Sequence, residues 1–114
     1  MTVTIWHNPR CSKSRTTLSL LEERGITPTV RLYLQDSPTA DEIKDALRAL
    51  QLPPGKLLRK GEKEYKDAGL GPDSSDAALV DAMARFPKLI ERPIVFANGS
   101  AKIGRPPEAV LDIL

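Results

Sequence analysis

The sequence predicts an α/β protein: a small mixed sheet with helices on its faces and a helical insertion in the middle. Three observations carry this. The first 34 residues run strand, helix, strand, which is a βαβ unit. Residues 36 to about 86 show helical spacing and no strand pattern. Strands then return around Asn98-Gly99, the strongest two-residue hairpin signal, and a terminal helix follows.

"TVTIW" (2–6) is short and β-branched, bounded by "HNP", and reads as a buried strand. Leu18, Leu20 and Leu21 define a helix to about Arg24, with Gly25 placed to end it. "TVRLYL" (29–34) is the second strand, and the crossover between the two strands should be right-handed. A helix opens after "SPTADEI", capped by Thr39 or Asp41, with Ile43, Ala46, Leu47 and Leu50 on one face. "LPPG" breaks it, and a short apolar piece at Leu57–Leu58 and a charged stretch follow. Leu79, Ala82, Met83 and Phe86 mark another helix, ended or redirected by Pro87. "PIVFANGSAKIG" is the hairpin. "RPPEAVLDIL" is a short helix with Pro106 or Pro107 near its first position and Val110, Ile113 and Leu114 on one face.

The 114 residues suit a single domain, 1–114, with one modest core. Seventeen Lys and Arg against fifteen Asp and Glu give a net charge of +2, which is no footprint for nucleic acid or an acidic membrane. The opening "MTVTIW" lacks the features of a signal peptide, and no apolar run approaches the roughly 20 residues of a membrane span. The one cysteine excludes an internal disulfide. A soluble, cytoplasmic monomer is expected.

That cysteine, Cys11, lies in "HNPRCSKSR" (7–15), with His7, Arg10, Lys13 and Arg15 all within four positions. A lone cysteine is ordinarily a small buried hydrophobe. Here the Asn8-Pro9 turn signal ends the strand and starts a helix at or just after Cys11. A sulfur at a helix N-terminus faces unpaired amides and the positive end of the macrodipole, and nearby cations add to their effect in favouring the thiolate. The amides of Lys13 and Ser14 and the Ser14 hydroxyl are placed to donate toward it. A phosphatase-type loop needs arginine six residues after the cysteine, where Thr17 stands, and a dithiol oxidoreductase needs C-x-x-C where this chain has Ser14. One Cys and one His make no metal site. A redox enzyme with one thiol must take its second from elsewhere, which points to glutathione, a glutaredoxin, or both.

"HNPRCSKSR", "LLRK" (57–60), "ERPIVFANG" (91–99) and "IGRPPEAVLDIL" (103–114) together resemble the glutaredoxin-coupled arsenate reductase (ArsC) family, over essentially the whole chain. The stop at "VLDIL" is more similar to a short chromosomal branch of it. The resemblance implies a thioredoxin-like fold (β-α-β, β-β-α) with a helical insertion. It places the nucleophile on Cys11 and the residues that tune the thiol on His7, Ser14 and Arg15. It places the oxyanion-binding, catalytic arginines on Arg59, Arg92 and Arg105. It implies a cis peptide before Pro93, bringing Arg92 beside Cys11. Arg10 stands where other members have a small residue, so one more charge borders the site.

The activity the resemblance implies is reduction of arsenate to arsenite through a cysteine–arsenic adduct. Glutathione then serves as co-substrate, glutaredoxin as protein partner, and no cofactor is bound. Two other readings stand beside it. One is a glutathione-dependent thiol reductase acting on another substrate. The other is an Spx-like redox-sensing regulator of transcription, against which the missing C-x-x-C and the intact arginine set argue.

Overall fold

The computed structural model describes residues 2–114. The chain forms two compact units, one of residues up to Asp36 together with Arg92–Leu114, the other of Ser37–Glu91.

The first unit is built on a four-stranded mixed sheet. Its strands are β1 (Val3–Trp6), β2 (Thr29–Arg31), β3 (Ile94–Ala97) and β4 (Ser100–Ile103), in the order β2-β1-β3-β4. β1 is parallel to β2 and antiparallel to β3, and β3 and β4 form the hairpin. Its turn has Asn98 at φ 55° and Gly99 at φ 76°. Two consecutive positive φ values are what a two-residue loop needs to follow the strand twist, and Asn-Gly meets that need at least cost.

The alternation of β1 decides what covers the sheet. Val3 and Ile5 face one way, opposite Ala97 and Val95 in register. With Leu21 of helix α1 (Ser12–Glu23) and Val110 they make the buried core of this unit, and Leu18, Ile26, Ile113 and Leu114 pack against it. Trp6 and Phe96 face the other way, their ring centroids 5.1 Å apart and tilted at 54°, with the Arg31 guanidinium over Trp6. The C-terminal segment Pro107–Ile113 is a 3-10 helix with Pro107 at its first position.

The expected strand over 29–34 ends at Arg31. The Leu32 carbonyl accepts from the amides of Gln35 and Asp36 at 2.9 and 2.8 Å, so the chain turns there instead of extending. Tyr33 is driven inside by that turn, while Leu32 and Leu34 stay exposed.

The second unit holds helices α2 (Ala40–Leu50), α3 (Pro54–Leu57), α4 (Lys63–Asp67) and α5 (Asp76–Arg85). Thr39, not Asp41, caps α2, in a reciprocal capping box with Glu42. Ile43, Ala46 and Leu47 of α2 and Leu79, Ala82 and Met83 of α5 are buried, as the helical spacing predicts, and Val80 is buried with them, whereas Leu50 and Phe86 of the expected faces are only half-buried. This unit runs past the expected end near residue 86. After a 3-10 turn at Pro87–Leu89, Ile90 bridges antiparallel to Leu58, and the amides of Arg59 and Glu91 donate to the carbonyls of Leu89 and Leu57 at 2.7 and 2.8 Å. Pro87 ends the helix, but the chain beyond it still pairs inside the unit.

Candidate functional site

The site is built where β1 hands over to α1. The His7 amide donates to the Arg31 carbonyl at 2.9 Å, the last link of β1 to its parallel neighbour. Asn8 then shapes the turn. Its carbonyl accepts the Cys11 amide and its side-chain oxygen accepts the Arg10 amide, both at 3.0 Å. Arg15 Nη1 donates to the Pro9 carbonyl at 2.9 Å and ties the turn to the helix it opens.

Cys11 is the N-cap residue of α1, extended at φ −97° and ψ 123°, and its sulfur makes no capping bond to the first-turn amides. Its thiol is half-buried. Those amides have no partner within the helix, so the sulfur stands at the positive end of α1. Arg105 Nη2 donates to Sγ at 3.7 Å, within reach for a sulfur acceptor. Arg105 Nε donates to the Arg92 carbonyl at 2.8 Å, which fixes the guanidinium plane. The peptide bonds Arg92-Pro93 and Arg105-Pro106 are both cis.

His7 and Ser14 are buried and bonded to each other, Nδ1 to Oγ at 2.7 Å. Ser14 Oγ also accepts the Asn8 amide at 3.0 Å. Its own proton is therefore available to the imidazole, which suits neutral His7. Burial lowers the His7 pKa from its ordinary 6.5, and the Arg15 charge lowers it further. The sequence expectation had the Ser14 hydroxyl donating toward the thiolate. The structure engages it with His7 and Asn8 instead.

Of the expected oxyanion arginines, Arg105 is on the sulfur and Arg92 is joined to it through its carbonyl, with the Arg92 Nε and Nη1 atoms buried. Arg59 belongs to the helical unit. Its Nη1 pairs with Glu62 at 2.6 Å and its Nε with Glu91 at 3.6 Å. Arg10 is exposed. A cavity of about 220 Å³ lies between the His7–Arg10 turn and Leu32, Leu34 and Gln35. Among the described residues there is no group of three or more His, Cys, Asp and Glu side chains able to hold a metal ion, and no helix is long and apolar enough to cross a membrane.

Sequence reasoning missed two features. One is the Arg105–Arg92 carbonyl bond, which no local pattern signals. The other is the burial of Thr17, whose hydroxyl donates to the Lys13 carbonyl at 2.8 Å. A threonine in the second turn of an amphipathic helix, one position before Leu18, was the available hint.

The ArsC family model matches residues 6–113. An arsenate reductase of Vibrio cholerae is similar at 52% identity, with a TM-score of 0.96 over 100% of this chain and 98% of that one. An arsenate reductase of Neisseria meningitidis serogroup A is 47% identical over 98% of this chain and 97% of its own length. An uncharacterised protein of Escherichia coli K12, YfgD, is 52% identical over 98% of this chain and 96% of its own. The fold is thioredoxin-like with a mixed sheet, and the family match spans nearly the whole chain: the chain belongs to the ArsC family.

Proposed function

We propose that this chain reduces arsenate to arsenite, with Cys11 as nucleophile and glutathione and a glutaredoxin supplying the remaining electrons and the reset. The observation that carries the reading is the Arg105 guanidinium held 3.7 Å from a thiol at a helix N-terminus. That pairing puts a nucleophile and an anion clamp at one point. A guanidinium fork suits a tetrahedral oxyanion, and fixed cations at the reacting centre stabilise charge without reorganising.

The Cys11 thiolate attacks arsenic(V), forming a sulfur–arsenic bond as water or hydroxide leaves. Glutathione attacks the adduct, two electrons pass to arsenic, and arsenite is released. The sum of the reductive stage is Cys11 thiol, glutathione and arsenic acid giving a Cys11–glutathione disulfide, arsenous acid and water. Glutaredoxin then removes the glutathione and restores the thiol. With one cysteine in the chain, the second thiol must come from outside. Arg59, Arg92 and Arg105 hold and neutralise the oxyanion. Phosphate shares the shape and charge of arsenate but forms no comparably stable bond to sulfur, so the thiol discriminates between them.

The test is arsenate-dependent oxidation of NADPH in the presence of glutathione, glutaredoxin and glutathione reductase. Turnover that requires arsenate, glutathione and Cys11 is the expected result. Equal turnover without arsenate, on a disulfide substrate, would make the chain a thiol reductase of another kind.

A further inference from the structure

We propose that Gly104 is a positioning residue: the missing side chain lets the chain leaving β4 lie against α1, and that close approach sets the Arg105 guanidinium beside Cys11. A Cβ at position 104 would stand 2.6 Å from Thr17 Oγ1 and 2.7 Å from Pro93 Cγ, with Pro93 Cδ at 3.2 Å. At each of the other six glycines a Cβ would meet nothing within 4 Å. Gly99 is glycine for its backbone angle, whereas Gly104 does not occupy the left-handed region and is glycine for space alone.

Neither neighbour is free to give way. Thr17 is fully buried, and its hydroxyl is bonded to the Lys13 carbonyl. Pro93 is a buried ring joined to Arg92. A side chain at 104 would therefore have to move the 104 backbone in a close-packed interior. That backbone is tied to the site on both sides. The Gly104 amide donates to the Pro93 carbonyl at 2.9 Å, and the next residue is Arg105, whose amide donates to Ile103 at 2.9 Å. From there the side chain has one bond to the Arg92 carbonyl and one to the Cys11 sulfur. A displacement at 104 reaches the guanidinium through a single peptide unit.

The experiment compares how fast Cys11 reacts with iodoacetate, an anion, and with iodoacetamide, its neutral counterpart, in the full chain. The ratio of the two rates reports a cation at the sulfur and needs no arsenate, so it is independent of the proposed reaction. Arg105→Ala should lower that ratio roughly fivefold by removing a charge close to the sulfur. Gly104→Ala, with its circular dichroism unchanged, should lower it by a similar factor. The double variant should fall no further than Arg105→Ala, since both changes remove one contact. A folded Gly104→Ala with the wild-type ratio overturns the proposal, as does a double variant whose loss is the product of the single losses. Thr17→Ala covers the case in which Gly104→Ala does not fold. It removes the opposing atom instead of adding one, and the loosened approach should lower the ratio about twofold; an unchanged ratio there also overturns it. In arsenate kinetics Gly104→Ala should raise KM in step with Arg105→Ala. A wild-type chain inactive on arsenate, with the alkylation ratios as expected, would sink the reductase reading and leave this one standing.

Discussion

Arg105 Nη2 and Cys11 Sγ stand 3.7 Å apart although 94 positions separate the two residues in sequence. The contact joins the two ends of the sheet unit, the turn after β1 and the segment after β4. Each partner is held by a second bond that does not involve the other. The Cys11 amide is fixed by the Asn8 carbonyl, and the Arg105 Nε by the Arg92 carbonyl. Guanidinium and thiol are thus each preorganised by a bond of their own, the arrangement in which a fixed cation stabilises developing charge most.

The turn that carries the thiol depends on Ser14. Ser14→Ala would leave the buried His7 Nδ1 and the Asn8 amide without their shared partner. Such a loss costs about 1–3 kcal/mol. Urea unfolding should show that decrease with an unchanged m-value. A midpoint equal to that of the wild type would mean that the hydroxyl does not hold the turn.

His7 gives the stability a pH dependence of known sign. Its pKa in the fold is lowered from 6.5 by burial and then by Arg15. The unfolded chain therefore takes up this proton first as the pH falls, and stability is lost on going from above 6.5 down through the lower folded value. Above that window the contribution is fully present. Comparing unfolding midpoints at neutral and mildly acidic pH, the wild type should lose more stability than His7→Gln. An equal loss in the two proteins would remove His7 as the cause.

The parts legible in the sequence are those set by local chemistry. The Asn98-Gly99 hairpin follows from two positive φ values, and α2 from Thr39, Glu42 and a clean apolar face. The cysteine turn follows from Asn8-Pro9. The early end of β2 was not legible, because "RLYL" alternates like a strand while the bonds of Leu32 turn it. The same holds for the pairing of Leu58 with Ile90, 32 positions along the chain, which carries the helical unit past Pro87. The meeting of Arg105 with Cys11 and with the Arg92 carbonyl could be expected only from resemblance, since nothing local in either segment points to Cys11.

Glutathione dependence has a direct signature. Cys11 is the one cysteine and is half-exposed, so oxidised glutathione should form one mixed disulfide on the folded chain. Mass spectrometry should show a single adduct, absent in Cys11→Ser and removed by glutaredoxin. No adduct on the folded chain would argue against glutathione as co-reductant.

The arginines are separated by what they already hold. Arg105 touches the sulfur of Cys11, whereas Arg59 is paired with Glu62 and Glu91. An oxyanion reaching Arg59 must compete with those two carboxylates, while at Arg105 it meets a cation already aimed at the nucleophile. Arg105→Ala should therefore lower arsenate kcat/KM by about one to two decades, the loss of a charge-assisted contact of roughly 1.5–3 kcal/mol. Arg59→Ala should cost less than that, and Arg92→Ala should fall with Arg105→Ala if its buried guanidinium meets the same anion. Lysine at 105 keeps the charge but loses the fork and the bond to the Arg92 carbonyl, so it should recover only part of the loss. Alkylation of Cys11 by a neutral reagent should change much less in all three variants, because no oxyanion is held. Cys11→Ser should abolish turnover and still bind the anion weakly through the arginines. Turnover that survives in Cys11→Ser would end the thiol mechanism, and wild-type arsenate kinetics in all three alanine variants would leave a reactive thiol with a different substrate.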